Sequence, residues 1–228
     1  MHKFHHKIVM ALGSIKTAVC ILTLIILACA IGTFIPRGDI YHSGWFIGLL
    51  GLLWCSIFIC TIKRPKLRPQ AFSTVITHLG LLVILLGALV TGIFGERGFM
   101  LIYEKHNQDT FIYAGDKFKT LDFKIHLDDF SIDYYDEANK PQRFVKNFSS
   151  RVTVIEQDKE ILKDTIKVNH PLKYKGYSFY QSGYDQKNFK WTGLDVVRDP
   201  GEPFVWCGFI LLNCGVILSF YRRAKAIK

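Results

Sequence analysis

A histidine within an otherwise apolar stretch is the residue of this sequence best suited to chemistry. The stretch TVITHLGLLVILLGALVTG covers residues 74–92, and His78 stands near its beginning. An imidazole can bind a metal or carry a proton, but a polar ring facing lipid costs free energy unless something satisfies it. Helical geometry at ~100° per residue directs His78 roughly 150° away from a narrow stripe of mostly small residues and toward leucines. The stripe, suited to close helix packing, contains Thr77, Gly80, Ile84, Gly87 and Thr91, and the leucines are Leu81, Leu82, Leu85 and Leu89. His78 is therefore expected to meet a hydrogen-bonding helix or to coordinate an apolar, metal-containing group.

The other candidate residues are more simply explained by ordinary structural roles. Three histidines lie in the leader HKFHHK, where a disordered basic segment is expected and loose binding of a metal is the alternative. Adjacent carboxylates on a strand point to opposite faces, so Asp128–Asp129 predicts a bulge or a solvated turn. No phosphate-binding loop, nucleophile elbow or metal-ligand cluster is present, and we predict no catalytic residue. The remaining histidines are assigned to membrane-interface anchoring (His42), a solvated strand face or scattered positions (His106, His126) and a loop (His170), while the leader holds His2, His5 and His6.

Four apolar runs predict that the 228-residue chain crosses a membrane four times. About twenty mostly apolar residues are needed to span a bilayer, and each run is close to that length. The first lacks a small-residue cleavage site, so it is not a cleavable signal peptide. The predicted organisation is a leader at 1–14, spans at 15–35, 45–62, 74–94 and 204–221, an insert at 95–203 between the last two spans, and a tail at 222–228.

The positive charge of the chain predicts orientation rather than nucleic-acid binding. The formal net charge is +10, yet the insert carries 17 Lys and Arg against 18 Asp and Glu. Basic residues near the spans mark the cytoplasmic side. Both termini and the second loop are therefore expected in the cytoplasm, and residues 95–203 outside it. The excess charge belongs to Lys3, Lys7, Lys16, Lys63, Arg64, Lys66, Arg68, Arg222, Arg223, Lys225 and Lys228.

The insert is predicted to be a small antiparallel, sandwich-like β domain. Segments such as FKIHLDD, FSIDY, RVTVI and TIKVN alternate apolar and polar residues, and DEANKP and EQDKE interrupt them as turns. All six cysteines fall in the spans, so the insert has no disulfide framework. Its stretch PLKYKGYSFYQSGYD is rich in aromatic residues, which serve either an interface or a β core. Alternation places Tyr177 and Phe179 on one face and Tyr180 on the other; the other aromatic residues are Tyr174, Tyr184, Phe189 and Trp191.

Four stretches of the chain resemble the ResB (also CcsB) proteins of the system II cytochrome c maturation pathway. They are SIKTAVCILTLIILACAIGTFIP, HLGLLVILLGALVTGIFGERGFM, VNHPLKYKGYSFYQSGYD and VVRDPGEPFVWCGFILLNCGVIL, in family order. The third stretch and the RDPGEP segment before the last span are the most specific. The resemblance implies a four-span protein with an exported domain, here shorter than is common in the family.

The resemblance also implies a function, a partner and a cofactor. The partner would be a multi-span ResC/CcsA-type protein, and together they would carry haem across the cytoplasmic membrane and present it, reduced, to apocytochrome c. His78 maps onto the intramembrane histidine of the family, which implies an axial ligand of haem b. Membrane lipid is the other expected partner. The chain would be a non-catalytic subunit of a cytochrome c synthetase complex.

The residues around His78 suit that role but leave alternatives open. Haem offers an apolar disc to the leucines and iron to the imidazole. No second histidine lies in any span, so we expect the other axial ligand from the partner, with haem bound transiently at their interface. Two other functions remain: a haem-free membrane scaffold whose β domain docks exported partners, and a b-type haem electron-transfer subunit. Two ligands from its own helices, usual for the latter, are not available here.

Overall fold

The chain forms two compact units, one helical and one made of β-strands. A computed structural model describes residues 10–34, 40–63, 69–113, 117–134, 145–185 and 190–227. Residues 1–95 and 200–228 belong to the helical unit, and residues 96–199 form the β unit. The leader histidines, most of the basic loop KRPKLRP, the turn DEANKP and Phe189 lie outside the described residues.

Within the part of the first unit that the structure describes, four helices are long and apolar enough to cross a membrane. A short 3-10 helix, Ile40–His42, lies between the first two. The predicted membrane architecture is thereby confirmed, and the chain is a membrane protein. The third helix begins five residues before the span predicted from hydropathy, at a proline, which favours the first helical turn because its missing N–H is not needed there. The helices are α1 (Ile15–Phe34), α2 (Gly44–Lys63), α3 (Pro69–Phe94) and α4 (Glu202–Ile227).

Helices α3 and α4 pack along their backbones through glycines. A Cβ atom placed on Gly80 would lie 2.5 Å from the amide nitrogen of Leu212, and one on Gly208 would lie 2.8 Å from the carbonyl oxygen of Gly80. A Cβ on Gly87 would lie 2.9 Å from the carbonyl oxygen of Gly201. Higher numbers on one helix meet lower numbers on the other, so the pair is antiparallel. The small-residue stripe predicted on α3 is the face that packs against α4.

The other face of α3 packs against α1 and α2. Ile25 of α1 and Leu50 of α2 belong to an apolar cluster that Leu85 and Leu89 of α3 contact. The indole N–H of Trp54 donates to the carbonyl oxygen of Leu82, 3.1 Å away. Two of the leucines predicted to surround His78 therefore belong to a helix–helix contact.

The described residues of the second unit form one antiparallel sheet of eight strands. The order across the sheet is β5-β4-β3-β2-β1-β8-β7-β6. Neighbouring strands pair antiparallel throughout. The strands are β1 (Glu96–Tyr103), β2 (Asn107–Tyr113), β3 (Lys117–Tyr134), β4 (Val145–Glu156), β5 (Lys159–Lys167), β6 (Leu172–Tyr174), β7 (Tyr177–Tyr184) and β8 (Trp191–Arg198).

The sheet folds over on itself, so that its two halves enclose one core. The Ser150 hydroxyl on β4 donates to the Gln181 side-chain oxygen on β7, 2.7 Å away, although these strands are not neighbours in the sheet. The rings of Phe123 on β3 and Phe179 on β7 meet edge to face with centroids 6.1 Å apart. This arrangement confirms the antiparallel, sandwich-like fold class, built here from one continuous sheet.

The alternation read from the sequence assigns faces correctly within β3. Phe123, Ile125 and Leu127 are buried, as FKIHLDD predicted. FKIHLDD and FSIDY are parts of this one strand rather than two strands. The register of the β3–β4 pair shifts between Leu127 and Asp129, which is the bulge expected from the paired carboxylates.

The aromatic stretch contributes chiefly to the core. Phe179 is fully buried, Tyr174 and Tyr177 pack against the same core, and Tyr180 on the opposite face is exposed. Tyr184 contacts other aromatic rings of the unit. The sequence left core and interface roles open, and the structure assigns most of these rings to the core.

Candidate functional site

His78 lies on α3 and forms a hydrogen bond to Thr61 near the end of α2. The Thr61 hydroxyl oxygen is 3.0 Å from Nδ1 of His78. The same hydroxyl donates to the carbonyl oxygen of Ile57, one helical turn earlier, at 2.7 Å. The end of α2 therefore satisfies one side of the ring, which corresponds to the first of the two outcomes expected from the sequence.

The two contacts of Thr61 favour one tautomer of the His78 ring. A threonine hydroxyl has one proton to donate and lone pairs with which to accept. Because that proton points to Ile57, Thr61 accepts from Nδ1–H of His78. In the neutral ring the lone pair then lies on Nε2. Metal-binding histidines commonly have this arrangement, in which the second nitrogen donates to a fixed acceptor that holds the ring in place.

The His78 ring lines two cavities. The first, of about 140 Å³, lies between the beginning of α1, the end of α2 and His78, and its walls include Ser14, Ser56 and Cys60. The second, of about 300 Å³, lies between α3 and α4. It is lined by Thr74, Thr77, His78, Val216, Ser219, Phe220 and Arg223.

The surroundings of His78 include hydroxyl groups that helical periodicity did not predict. Helical side chains lean toward the helix N-terminus, so a residue covers the turn before it rather than the turn after it. His78 accordingly lies beside Thr61 and lines a cavity together with Thr74. The missed residue is Thr61, and the available signal was a hydroxyl close to the end of an otherwise apolar helix.

His78 also lies farther along its helix than the predicted span suggested. It follows Pro69 by nine residues, which corresponds to ~13.5 Å at ~1.5 Å per residue, whereas it follows the first residue of the predicted span, Thr74, by four. The apolar part of α3 begins at Phe72, which places the ring ~9 Å inside it.

The site suits one-sided ligation of haem and not its enclosure. The chemistry fits, since an oriented imidazole stands among apolar and hydroxyl side chains. The cavities of about 140 and 300 Å³ are at or below the lower end of ligand pockets, which usually measure ~300–1,000 Å³. A ligand as large as haem would therefore need a second protein surface in addition to His78.

The other histidines that the structure describes do not line these two cavities. His42 ends the short helix Ile40–His42. In the β unit, Nδ1 of His106 donates to the carbonyl oxygen of Glu104 at 2.8 Å, and Nδ1 of His126 donates to Oδ1 of Asn107 at 2.7 Å. His170 is exposed in the turn before β6. Within the described residues, no group of three or more His, Cys, Asp or Glu could hold a metal ion.

Comparison with known protein families adds a match over most of the chain. The model of the ResB-like family matches residues 66–190 and 185–227. The chain belongs to the ResB-like family. The resemblance inferred from sequence motifs is thereby confirmed, and His78 lies within the matched part of this ResB-like chain. The first of the four motif stretches precedes the match.

Relatives of this ResB-like chain are proteins of cytochrome c biogenesis. The cytochrome c biogenesis protein CcsB of Synechococcus sp. (strain JA-3-3Ab) is 32% identical over 115 residues, which cover 50% of this chain and 23% of that protein. CcsB of Gloeobacter violaceus (strain ATCC 29082 / PCC 7421) is 23% identical over 303 residues, covering 87% of this chain and 61% of that protein. The ResB-like chain thus spans less than two thirds of either relative.

Among solved structures, the cytochrome c haem lyase CcmF matches with a TM-score of 0.44 at 10% identity, covering 90% of this chain and 34% of that one. A similarity at this level is not specific to a fold.

Proposed function

We propose that this ResB-like chain is a non-catalytic subunit of a membrane complex that presents haem for covalent attachment to apocytochrome c. The observation that carries the proposal is the family match over residues 66–227, together with relatives that are cytochrome c biogenesis proteins. Four membrane-span-capable helices and a separate β unit agree with a protein that works at a membrane.

His78 is the proposed axial ligand of haem b, and Thr61 is its positioning residue. The Thr61 oxygen accepts from Nδ1–H and so holds the ring with its lone pair on Nε2. Bound haem would supply an iron centre and the vinyl groups that become attached to the cytochrome. The chain's own contribution is to bind the haem through His78 and to orient that ring through Thr61.

The proposed partner is a ResC/CcsA-type protein that supplies the second axial ligand. In the sequence, the four predicted spans contain one histidine, which is His78. The cavities beside it are too small to enclose haem. Both observations support a haem site at an interface between two proteins.

The proposed orientation places both termini in the cytoplasm and residues 95–203 outside it. The contacts of His78 with Thr61 and of Phe72 with Arg222 bring the end of α2, the start of α3 and the end of α4 together. Basic residues therefore gather at one end of the helical unit, which is the cytoplasmic end under the positive-inside rule. Reporter fusions at residues 68, 150 and 228 test this, and a cytoplasmic signal at residue 150 would reverse the assignment.

The decisive experiment measures haem in the detergent-purified complex with its ResC/CcsA-type partner. Absorption and pyridine-haemochrome spectra are compared for wild type, His78→Ala, and His170→Ala as a control on an exposed β-unit turn. We expect b-type haem in wild type and in the control, and loss of haem or a five-coordinate spectrum in His78→Ala. Thr61→Val should retain some haem with a shifted spectrum, because the ligand remains while its orientation is weakened.

A haem-free scaffold is the second candidate function, and the Thr61 hydrogen bond is the observation that favours it. That bond satisfies part of the polar ring without any ligand. Equal spectra for wild type and His78→Ala, or no haem in either when the partner is folded, would make His78 structural and support the scaffold. A full bis-histidine spectrum from the monomeric chain alone would instead contradict ligation at an interface.

A further inference from the structure

The groove between α3 and α4 combines an apolar wall with hydroxyl groups and a cation beside His78. Val216, Ser219, Phe220 and Arg223 face the groove from α4, at spacings that share one helix face. Thr74, Thr77 and His78 do so from α3 at the same kind of spacing. The α4 side of the groove thus combines two apolar side chains with a hydroxyl group and ends, two turns later, in a cation.

The sequence of the helical unit contains few acidic residues that could pair with Arg223, the cation of this groove. Residues 1–94 contain one acidic residue, Asp39, and residues 203–228 contain none. Glu202 stands at the opposite end of α4, ~31 Å from Arg223 along the helix axis. The neighbouring Arg222 contacts the ring of Phe72, 5.6 Å from its centroid, and is not part of the groove lining.

A groove of this kind matches an amphiphile with a carboxylate at one edge. Arginine binds carboxylates through a planar fork of donors, and serine and threonine hydroxyls can add further donors. The cavity of about 300 Å³ has room for one edge of a large ligand but not for the whole of it.

We propose that the α3–α4 groove is a carboxylate subsite in which Arg223, assisted by Ser219 and Thr74, binds a propionate of the haem ligated by His78. The inference rests on the proposed haem function and extends it from the iron ligand to the polar edge of the ligand. Haem is a better match for this groove than a phospholipid headgroup, because His78 itself lines the groove. A headgroup site would need no metal-competent nitrogen.

The test is a haem titration of the full chain in complex with its partner, followed by absorption. The ligands are iron protoporphyrin IX and its dimethyl ester, in which both carboxylates are masked. We expect Arg223→Gln to weaken binding of the free acid by about tenfold or more, the scale of a charge-assisted hydrogen bond. The same variant should change binding of the diester by less than about twofold. Arg222→Gln is the matched control and should leave both affinities unchanged, and Arg223→Lys should recover part of the loss.

The outcomes separate this subsite from the haem function on which it rests. His78-dependent haem binding with no effect of Arg223→Gln, or equal losses for free acid and diester, would overturn the subsite and leave the haem function standing. Loss of co-purified anionic phospholipid from Arg223→Gln with an unchanged haem affinity would assign the groove to lipid and also overturn it. If wild type binds neither ligand, both proposals are wrong.

Discussion

Replacing Gly208 by alanine should destabilise the helical unit, because the α3–α4 contact leaves no space for a methyl group. A Cβ at this position would lie 2.8 Å from the carbonyl oxygen of Gly80, 2.8 Å from the amide nitrogen of Ile84 and 2.6 Å from its Cγ1 atom. Two of these three atoms are backbone, so a side-chain rotation cannot relieve the clash. The helices must separate by about 0.7 Å to restore a normal contact of ~3.5 Å.

The cost of that separation is about 1–3 kcal/mol, the usual range for overpacking a well-packed interface. Alanine also favours a helix over glycine by about 1 kcal/mol, which partly offsets the loss. Gly51→Ala on α2 is therefore the matched control, since a Cβ at Gly51 has no neighbour within 4 Å. The difference between the two variants isolates the packing cost.

Thermal unfolding of the full chain in detergent, followed by circular dichroism, measures this difference. We expect Gly208→Ala to unfold about 2–12 °C below Gly51→Ala, at ~2–4 °C per kcal/mol for a chain of this size. Gly80→Ala should behave similarly, and the double variant should lose less than the sum because both changes separate the same contact. If Gly208→Ala and Gly51→Ala melt at the same temperature, the close approach of the backbones does not contribute to stability.

Two further predictions concern charged contacts of the β unit, measured in the full chain by hydrogen exchange of β-unit peptides. The hydrogen bond from Lys119 to Glu96 raises the pKa of Lys119. The stability that this bond contributes is therefore present below pH 10.5 and is lost as pH rises through the folded pKa. Glu96→Gln should weaken protection by about 1 kcal/mol at neutral pH and flatten the loss at alkaline pH, and an unchanged alkaline profile would contradict this. Hydrogen bonds from Lys175 and, to a smaller extent, Tyr174 lower the pKa of Glu156. The stability that ionised Glu156 contributes is therefore present above pH 4.5 and is lost as pH falls through the folded pKa. Glu156→Gln should reduce the acid-dependent loss of protection at β6, whereas an acid profile identical to wild type would refute the assignment.

Periodicity predicted the elements of this chain well, because burial imposes a regular pattern on each element separately. Twenty apolar residues identify a span whatever it packs against, and the two-residue alternation of FKIHLDD assigns faces without knowledge of the partner strand. The stripe Gly80–Gly87 correctly indicated a close helix contact. Its partner was also visible in the sequence, since Gly201, Gly208 and Gly215 recur every seven residues, as expected for helices that cross at a small angle.

Contacts between distant parts of the chain were not predictable in the same way. The hydrogen bond from His78 to Thr61 joins residues 17 positions apart and depends on the rotation of α2 about its own axis, which the weakly amphipathic sequence of that helix does not specify. Similarly, the aromatic stretch around Phe179 could serve a core or an interface until the fold of the sheet over itself determined which rings were covered.

The glycine contact and the candidate site depend on each other. A Cβ at Gly215 would lie 2.6 Å from the amide nitrogen of Thr77, so this end of α4 can reach α3 only without a side chain at that position. Ser219 follows Gly215 by one helical turn and Arg223 by two, and His78 is adjacent to Thr77 in α3. The close approach therefore places a hydroxyl and a guanidinium beside the imidazole, while α2 provides Thr61 from the other side. Any function of His78, as an iron ligand or as a structural residue, thus depends on three helices converging at one end of the helical unit, and no single one of these apolar segments contains that information.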